Sequence, residues 1–261
     1  MKVDLKAILN KQKALEKPII EKKKIKVHKL IFDEKNVTNP DKSFDIFERQ
    51  VTQIVSKKEK VEPSSFFGEL NALFNKFLET NQIDKINKNG TKFAEKLVGL
   101  GDGRLAAIIY SLLIKANEGN PELVERFAIN GLAIAKRFND PVHIMARCEN
   151  LRKIYNVTSP QSEKMLKILY EEKRALNSIT KNYESAKNRF QTISKEMKPV
   201  ENYQIMQGAI QIQIAKILRN TNKNAAIIEL NSAYDLLKSV GKGKYTKEIE
   251  KLLDDINKTQ I

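Results

Sequence analysis

From residue 65 to the C-terminus the apolar residues follow helical spacing throughout, and this pattern constrains the fold more than any other feature of the chain. In the first such segment Phe66, Leu70, Leu73 and Phe74 recur at i, i+4, i+7 and i+8, which places them on one helix face. The 261 residues include 10 glycines and 7 prolines, fewer than the turns of a sheet-rich fold would use. The pattern therefore predicts an all-α protein.

Turn residues divide this region into helices of ordinary length. Gly101 follows a helical segment near residues 91–100, and glycine is common directly after a helix. Pro121 and Pro141 stand where the next two helices begin, a position that proline favours. Because the breaks between segments are short, consecutive helices are expected to form antiparallel hairpins.

Residues 160–198 stand out because they contain no glycine and no internal proline. Apolar residues recur there every seven positions, at Leu169, Leu176, Tyr183, Phe190 and Met197. This spacing predicts one long helix with a narrow apolar seam, in which Glu172 interrupts the second heptad position. The seam can be covered within the chain by residues 200–220, or by a second copy of the chain in a coiled-coil homodimer.

The N-terminal quarter is the most basic part of a chain whose formal net charge is +15. Residues 1–60 hold 16 Lys or Arg against 9 Asp or Glu, a net charge of +7. The densest run forms a basic arm of Lys22, Lys23, Lys24, Lys26 and Lys29. Ile25, Val27 and Leu30 alternate with these lysines, which predicts a short strand or an extended arm. No second β-like run follows, so the arm is expected to become ordered only on a partner.

A charged, proline-marked segment at residues 57–65 separates this region from the helical part. The sequence therefore predicts two domains. Residues 1–63 would form a basic N-terminal extension, partly disordered or ordered by a partner, with helical spacing over 44–56. Residues 64–261 would form a helical-repeat domain.

Two helices share a spacing of small and large residues. Ala128, Leu132 and Ala135 lie four and three positions apart, and the same intervals recur at Ala226, Leu230 and Ala233. The helices before them carry similar segments, Leu105–Tyr110 and Ile214–Leu218, with a third copy at Leu151–Tyr155.

These segments resemble the tetratricopeptide repeat (TPR), in a form with longer helices. The match is partial and degenerate, since Arg152 stands where the other copies have Ala107 and Ala215, and the copies are unequally spaced. The resemblance implies a TPR-like α-solenoid of paired helices; another helical bundle or solenoid is the alternative. In the TPR family the first helices line a concave groove that holds a peptide or helix of a partner protein.

The positions that match groove-facing sites of the family are Arg104, Ile108, Glu149, Lys153, Ile212, Lys216 and Arg219. The basic members of this set would favour a partner that is acidic or presents a C-terminal carboxylate.

The sequence carries no recognisable catalytic, cofactor-binding or metal-binding motif. Cys148 is the sole cysteine, so no disulfide can form within the chain, and His28 and His143 lack zinc-ligand spacing. On one helix His143 and Cys148 would lie about 140° apart and so would not face a common site. The longest aliphatic run, residues 105–109, is too short to span a membrane, and the N-terminus lacks the apolar core of a signal peptide. We therefore expect an intracellular, soluble, cytoplasmic protein without a cofactor.

The sequence favours a non-enzymatic scaffold or adaptor that binds a protein partner through a helical-repeat surface. The alternative is a nucleic-acid-binding helical protein that uses the basic arm. That alternative is less favoured because the lysine run contains little arginine and no aromatic residue on which bases could stack.

Overall fold

Helices account for nearly all of the secondary structure in this computed structural model, which describes residues 26–30, 39–160, 162–184, 186 and 198–258. In chain order the elements are β1 (Val27–His28), α1 (Pro40–Ser56), β2 (Lys60–Val61), α2 (Pro63–Glu79), α3 (Ile83–Gly99), α4 (Gly103–Ala116), α5 (Pro121–Arg137), α6 (Pro141–Thr158), α7 (Glu163–Lys181), α8 (Val200–Leu218), α9 (Lys223–Ser239) and α10 (Gly243–Lys258).

The helices pack in the order in which they occur along the chain. From α1 to α10 each helix contacts the next, and α2 also contacts α4. Most connections are three or four residues long, which reverses the chain direction between neighbours. The predicted all-α array of antiparallel hairpins is confirmed. None of the helices within the described ranges is long and apolar enough to cross a membrane.

The loops between helices fall into two types that mark helix pairs. Four three-residue loops each place one residue at positive φ, namely Asn81, Gly101, Asn139 and Gly241. In each, the next N–H donates to the carbonyl five residues earlier at 2.9 Å, as in a Schellman motif.

Four-residue loops instead lead into α5, α7 and α9, which begin after the capping side chains of Asn120, Ser162 and Asn222. Each of these four-residue loops joins the two helices of a pair, α4–α5, α6–α7 or α8–α9. Three-residue loops connect α5 to α6 and α9 to α10, and so lead from one pair to the next helix.

The small residues predicted to lie between helices are all buried. Ala128 and Ala135 on α5, and Ala226 and Ala233 on α9, are at most 1% exposed. Leu132 and Leu230 between them also belong to the core. The spacing therefore reflects helix contact, while membership of the TPR family stays a prediction.

An aromatic cluster joins α1 to the helices that follow it. Phe44 and Phe47 of α1 lie within 5.5–6.5 Å of the rings of Phe66, Phe74 and Phe93, measured between centroids. All five side chains are buried. The core is thus continuous across the predicted domain boundary between residues 63 and 64.

The expectation that the basic arm has no strand partner within the chain is wrong for residues 26–30. Val27 and His28 pair in parallel with Lys60 and Val61, inside the segment interpreted as a linker. The N–H of Lys60 donates to the Lys26 carbonyl at 3.0 Å. A two-residue strand paired with another about thirty residues away leaves no local periodicity in the sequence. Lys26 and Lys29 are exposed beside β1, while Lys22, Lys23 and Lys24 lie outside the described residues.

The predicted single helix over 160–198 is also wrong. Helix α7 ends at Lys181, and Asn182 caps it. The hydroxyl of Tyr183 donates to the carbonyl of Lys198 at 2.6 Å. A continuous helix would separate these two residues by about 22 Å along its axis, so Tyr183 and Lys198 cannot belong to one continuous helix. Residues 187–197, which carry part of the predicted seam, lie outside the described residues.

The part of the seam on α7 is covered within the chain. Leu169, Leu176 and Ile179 are fully buried, and α7 packs between α6 and α8. The seam on α7 is therefore covered by α6 and by α8, which lies within residues 200–220. A homodimer through the rest of 160–198 stays a prediction.

Candidate binding groove

Alternate helices α2, α4 and α6 together line an open cavity of about 340 Å³, which we call the α2–α4–α6 groove. Such a surface arises because each three- or four-residue reversal brings every second helix to the same side of the array. Side chains from all three helices form its wall, among them Phe67, Ser111, Lys115, Arg147, Asn150 and Lys153.

Arg147 of α6 is the most unusual side chain in this wall, because it is charged and only 3% exposed. Its stem packs against Gly131 of α5, where an added Cβ would lie 3.0 Å from Arg147 Cδ. The absence of a side chain at Gly131 thus makes room for the arginine. Burial lowers the pKa of Arg147 to about 10, so the guanidinium remains protonated at neutral pH.

Ser111 of α4 orients this guanidinium. Arg147 Nη2 donates to Ser111 Oγ, and the hydroxyl in turn donates to the carbonyl of Ala107 at 3.1 Å. The hydroxyl is therefore occupied as both acceptor and donor. It binds one amino group of the guanidinium, while the buried Nε has no hydrogen-bond partner.

The other charges around the groove largely offset one another. Lys153 pairs with Glu149 one turn earlier, at 3.3 Å between Nζ and Oε1. Lys115 donates to the neutral amide of Asn71 at 3.3 Å, and the exposed carboxylate of Glu118 lies on the same rim.

The seven sites predicted from the TPR resemblance do not come together. Glu149 and Lys153 line the groove. Ile108 and Ile212 are buried in the core and present no open surface. The remaining three lie elsewhere: Arg104 donates to the carbonyl of Val61, Lys216 pairs with Glu248, and Arg219 lines a cavity beside α10.

The sequence prediction missed Arg147, although one signal was present. Arg147, Leu151 and Tyr155 form a row at four-residue intervals, and the two apolar members of that row are buried. A basic residue in an apolar row of a helix indicates a buried charge. Ser111 and Lys115 carry no comparable signal, since their roles depend on contacts between helices.

Helices α3 and α5 line a different cavity, of about 680 Å³, which includes Asn87, Glu95, Arg126 and Asn130. The two sets of alternate helices therefore line separate depressions. In the part of the chain that the structure describes, no group of three or more His, Cys, Asp or Glu side chains could hold a metal ion.

Comparisons with protein-family models, with curated proteins and with solved structures gave no match to this chain.

Proposed function

We propose that this chain is a non-enzymatic interaction module, a scaffold or adaptor, whose α2–α4–α6 groove binds an extended segment of a partner protein. The observation that carries the proposal is that three alternate helices jointly form one open groove. Regularly spaced helices that share a surface offer repeated contacts to an extended chain.

The chemistry of the groove supports binding rather than proton transfer. An arginine whose pKa is about 10 stays charged near pH 7, whereas a general acid or base works best with a pKa near the operating pH. A fixed positive charge in a partly apolar wall is a feature of recognition sites. We therefore propose a partner segment with acidic character.

The proposal can be tested by selecting peptides from a random displayed library on the purified full-length chain. Enriched peptides would then be titrated calorimetrically into wild type and into two charge-reversal variants, Lys153→Glu and Lys167→Glu. These lysines are matched: their side chains are 69% and 73% exposed, and each pairs with a glutamate four residues earlier. Lys153 lines the groove, whereas Lys167 lies on α7 and does not.

We expect Lys153→Glu to weaken peptide binding at least about tenfold and Lys167→Glu to leave it unchanged, since charge reversal acts on nearby ligands. Equal effects of both variants, or no enriched peptide, would overturn the proposal. Titration with a 20-nucleotide DNA at about 50 and 200 mM salt tests the alternative, because phosphate contacts make affinity fall steeply with salt. Tight, salt-sensitive DNA binding without peptide binding would favour a nucleic-acid function.

A further inference from the structure

Among the residues that the structure describes, no carboxylate lies within ion-pair distance of the Arg147 guanidinium. The buried Nε of this side chain has no hydrogen-bond partner. Buried charges in folded proteins are ordinarily paired, because an unpaired ion in a low-dielectric interior is costly. Ser111 provides one neutral contact and no charge.

The charge balance of the groove indicates what is missing. Lys153 and Glu149 offset each other as an ion pair, and Lys115 and Glu118 carry opposite charges on the rim. The net formal charge of the side chains that line the groove is therefore +1, and the unbalanced charge is that of the buried Arg147. A single negative charge would complete the site.

We propose that Arg147 binds the carboxylate of an acidic side chain, Asp or Glu, presented by the segment that occupies the α2–α4–α6 groove. This inference rests on the proposed function and names the chemistry that the groove recognises. A carboxylate matches a planar guanidinium, which can form two parallel N–H···O bonds with it. A phosphate monoester carries close to two negative charges at neutral pH and would leave an excess beside Glu118 and Glu149.

The geometry explains why three residues are arranged around this arginine. Gly131 admits the stem, Ser111 fixes the guanidinium, and the chain of hydrogen bonds to Ala107 anchors Ser111 to α4. Such support limits the rotation of the guanidinium and so lowers the entropy lost when a ligand binds.

The test is a titration of the full-length, isotope-labelled chain followed by NMR of the arginine Nε–Hε signals. Arg147→Lys, which keeps the charge and removes the signal, assigns the Arg147 resonance. The probe is N-acetylglutamate amide; its glutamine analogue and sodium chloride at equal ionic strength are the controls. We expect a saturable shift with the glutamate probe and less than about a tenth of that shift with the glutamine analogue.

An Arg147 resonance that does not respond to the glutamate probe would overturn the inference, as would a stronger response to phenyl phosphate. The two proposals can fail separately. A response at Arg147 without any library peptide would support the carboxylate site and overturn the peptide-binding function. Peptides that bind the groove without moving the Arg147 resonance would overturn the carboxylate site alone.

Discussion

Removing Arg152 should destabilise the fold far more than removing an exposed ion-pair partner. Arg152 of α6 donates to the two carboxylate oxygens of Glu172 on α7, from Nε at 2.9 Å and from Nη2 at 3.3 Å. The Glu172 side chain is fully buried, while the Arg152 side chain is 24% exposed. In Arg152→Met the carboxylate stays in the interior without its guanidinium.

Breaking a buried ion pair from one side costs about 3–5 kcal/mol of unfolding free energy. Because water reaches a quarter of the Arg152 side chain, we expect a value near the lower end, about 3 kcal/mol. The double variant Arg152→Met/Glu172→Met removes both charges, and such replacements of a buried pair are often neutral or stabilising. It should therefore be more stable than Arg152→Met alone.

Urea unfolding followed by circular dichroism measures these differences as shifts of the transition midpoint. Lys216→Met is the matched control, because Lys216 and Glu248 lie 2.8 Å apart with both side chains about half exposed. It should cost less than about 1 kcal/mol. A loss from Arg152→Met no larger than that from Lys216→Met would contradict a stabilising buried ion pair, as would a double variant as unstable as Arg152→Met.

Three further predictions concern packing and titration. In Gly103→Ala the new Cβ would lie 2.0 Å from a ring carbon of Phe138. The free energy of unfolding should therefore fall by about 1–3 kcal/mol, and the melting temperature with it. An unchanged melting temperature would contradict this packing. Burial raises the pKa of the Cys148 thiol, so iodoacetamide at pH 8 should label it at least about a thousandfold faster in urea than in the native protein, as mass spectrometry would show. Burial and the hydrogen bond to Glu125 raise the pKa of Tyr155 from 10.0 to about 12, so it contributes stability below pH 10 that is lost as the pH rises through 12. The difference in absorbance at 295 nm between wild type and Tyr155→Phe should titrate near pH 12, and Glu125→Gln should lower this pKa. A Tyr155 signal that titrates near pH 10 both with and without Glu125 would contradict the assignment.

Two irregularities in the sequence turn out to have one cause. Arg152 breaks the small-residue spacing of the repeat, and Glu172 breaks the heptad spacing of α7. The structure joins them in one ion pair between adjacent helices. Each residue looks unfavourable in its own helix, because the charge that compensates it lies on the other helix.

The helical content and the positions of the buried alanines were predictable, since both depend on periodicity within a helix. The pairing of β1 with β2 was not, because it joins two short segments about thirty residues apart through backbone hydrogen bonds. The end of α7 at Lys181 was missed for a related reason. Its apolar seam continues past Asn182 in sequence, although Tyr183 contacts Lys198, which one continuous helix would not allow.

The groove was predictable only in part. Glu149 and Lys153 follow from the resemblance, and both line it. Arg147 depends on a glycine of α5 and a serine of α4, and no pattern within α6 relates it to either. The TPR resemblance and the identity of a protein partner stay predictions.

The final helix differs from the others in how little it contributes to the interior. Helix α10 buries Ile249 and Ile256 and packs mainly on α9. In a linear array the free energy of opening a unit depends on its contacts with neighbouring units, so a helix with few buried side chains that packs mainly on one other helix opens easily. Amide hydrogens of α10 should thus exchange with solvent deuterium ahead of those in the central helices.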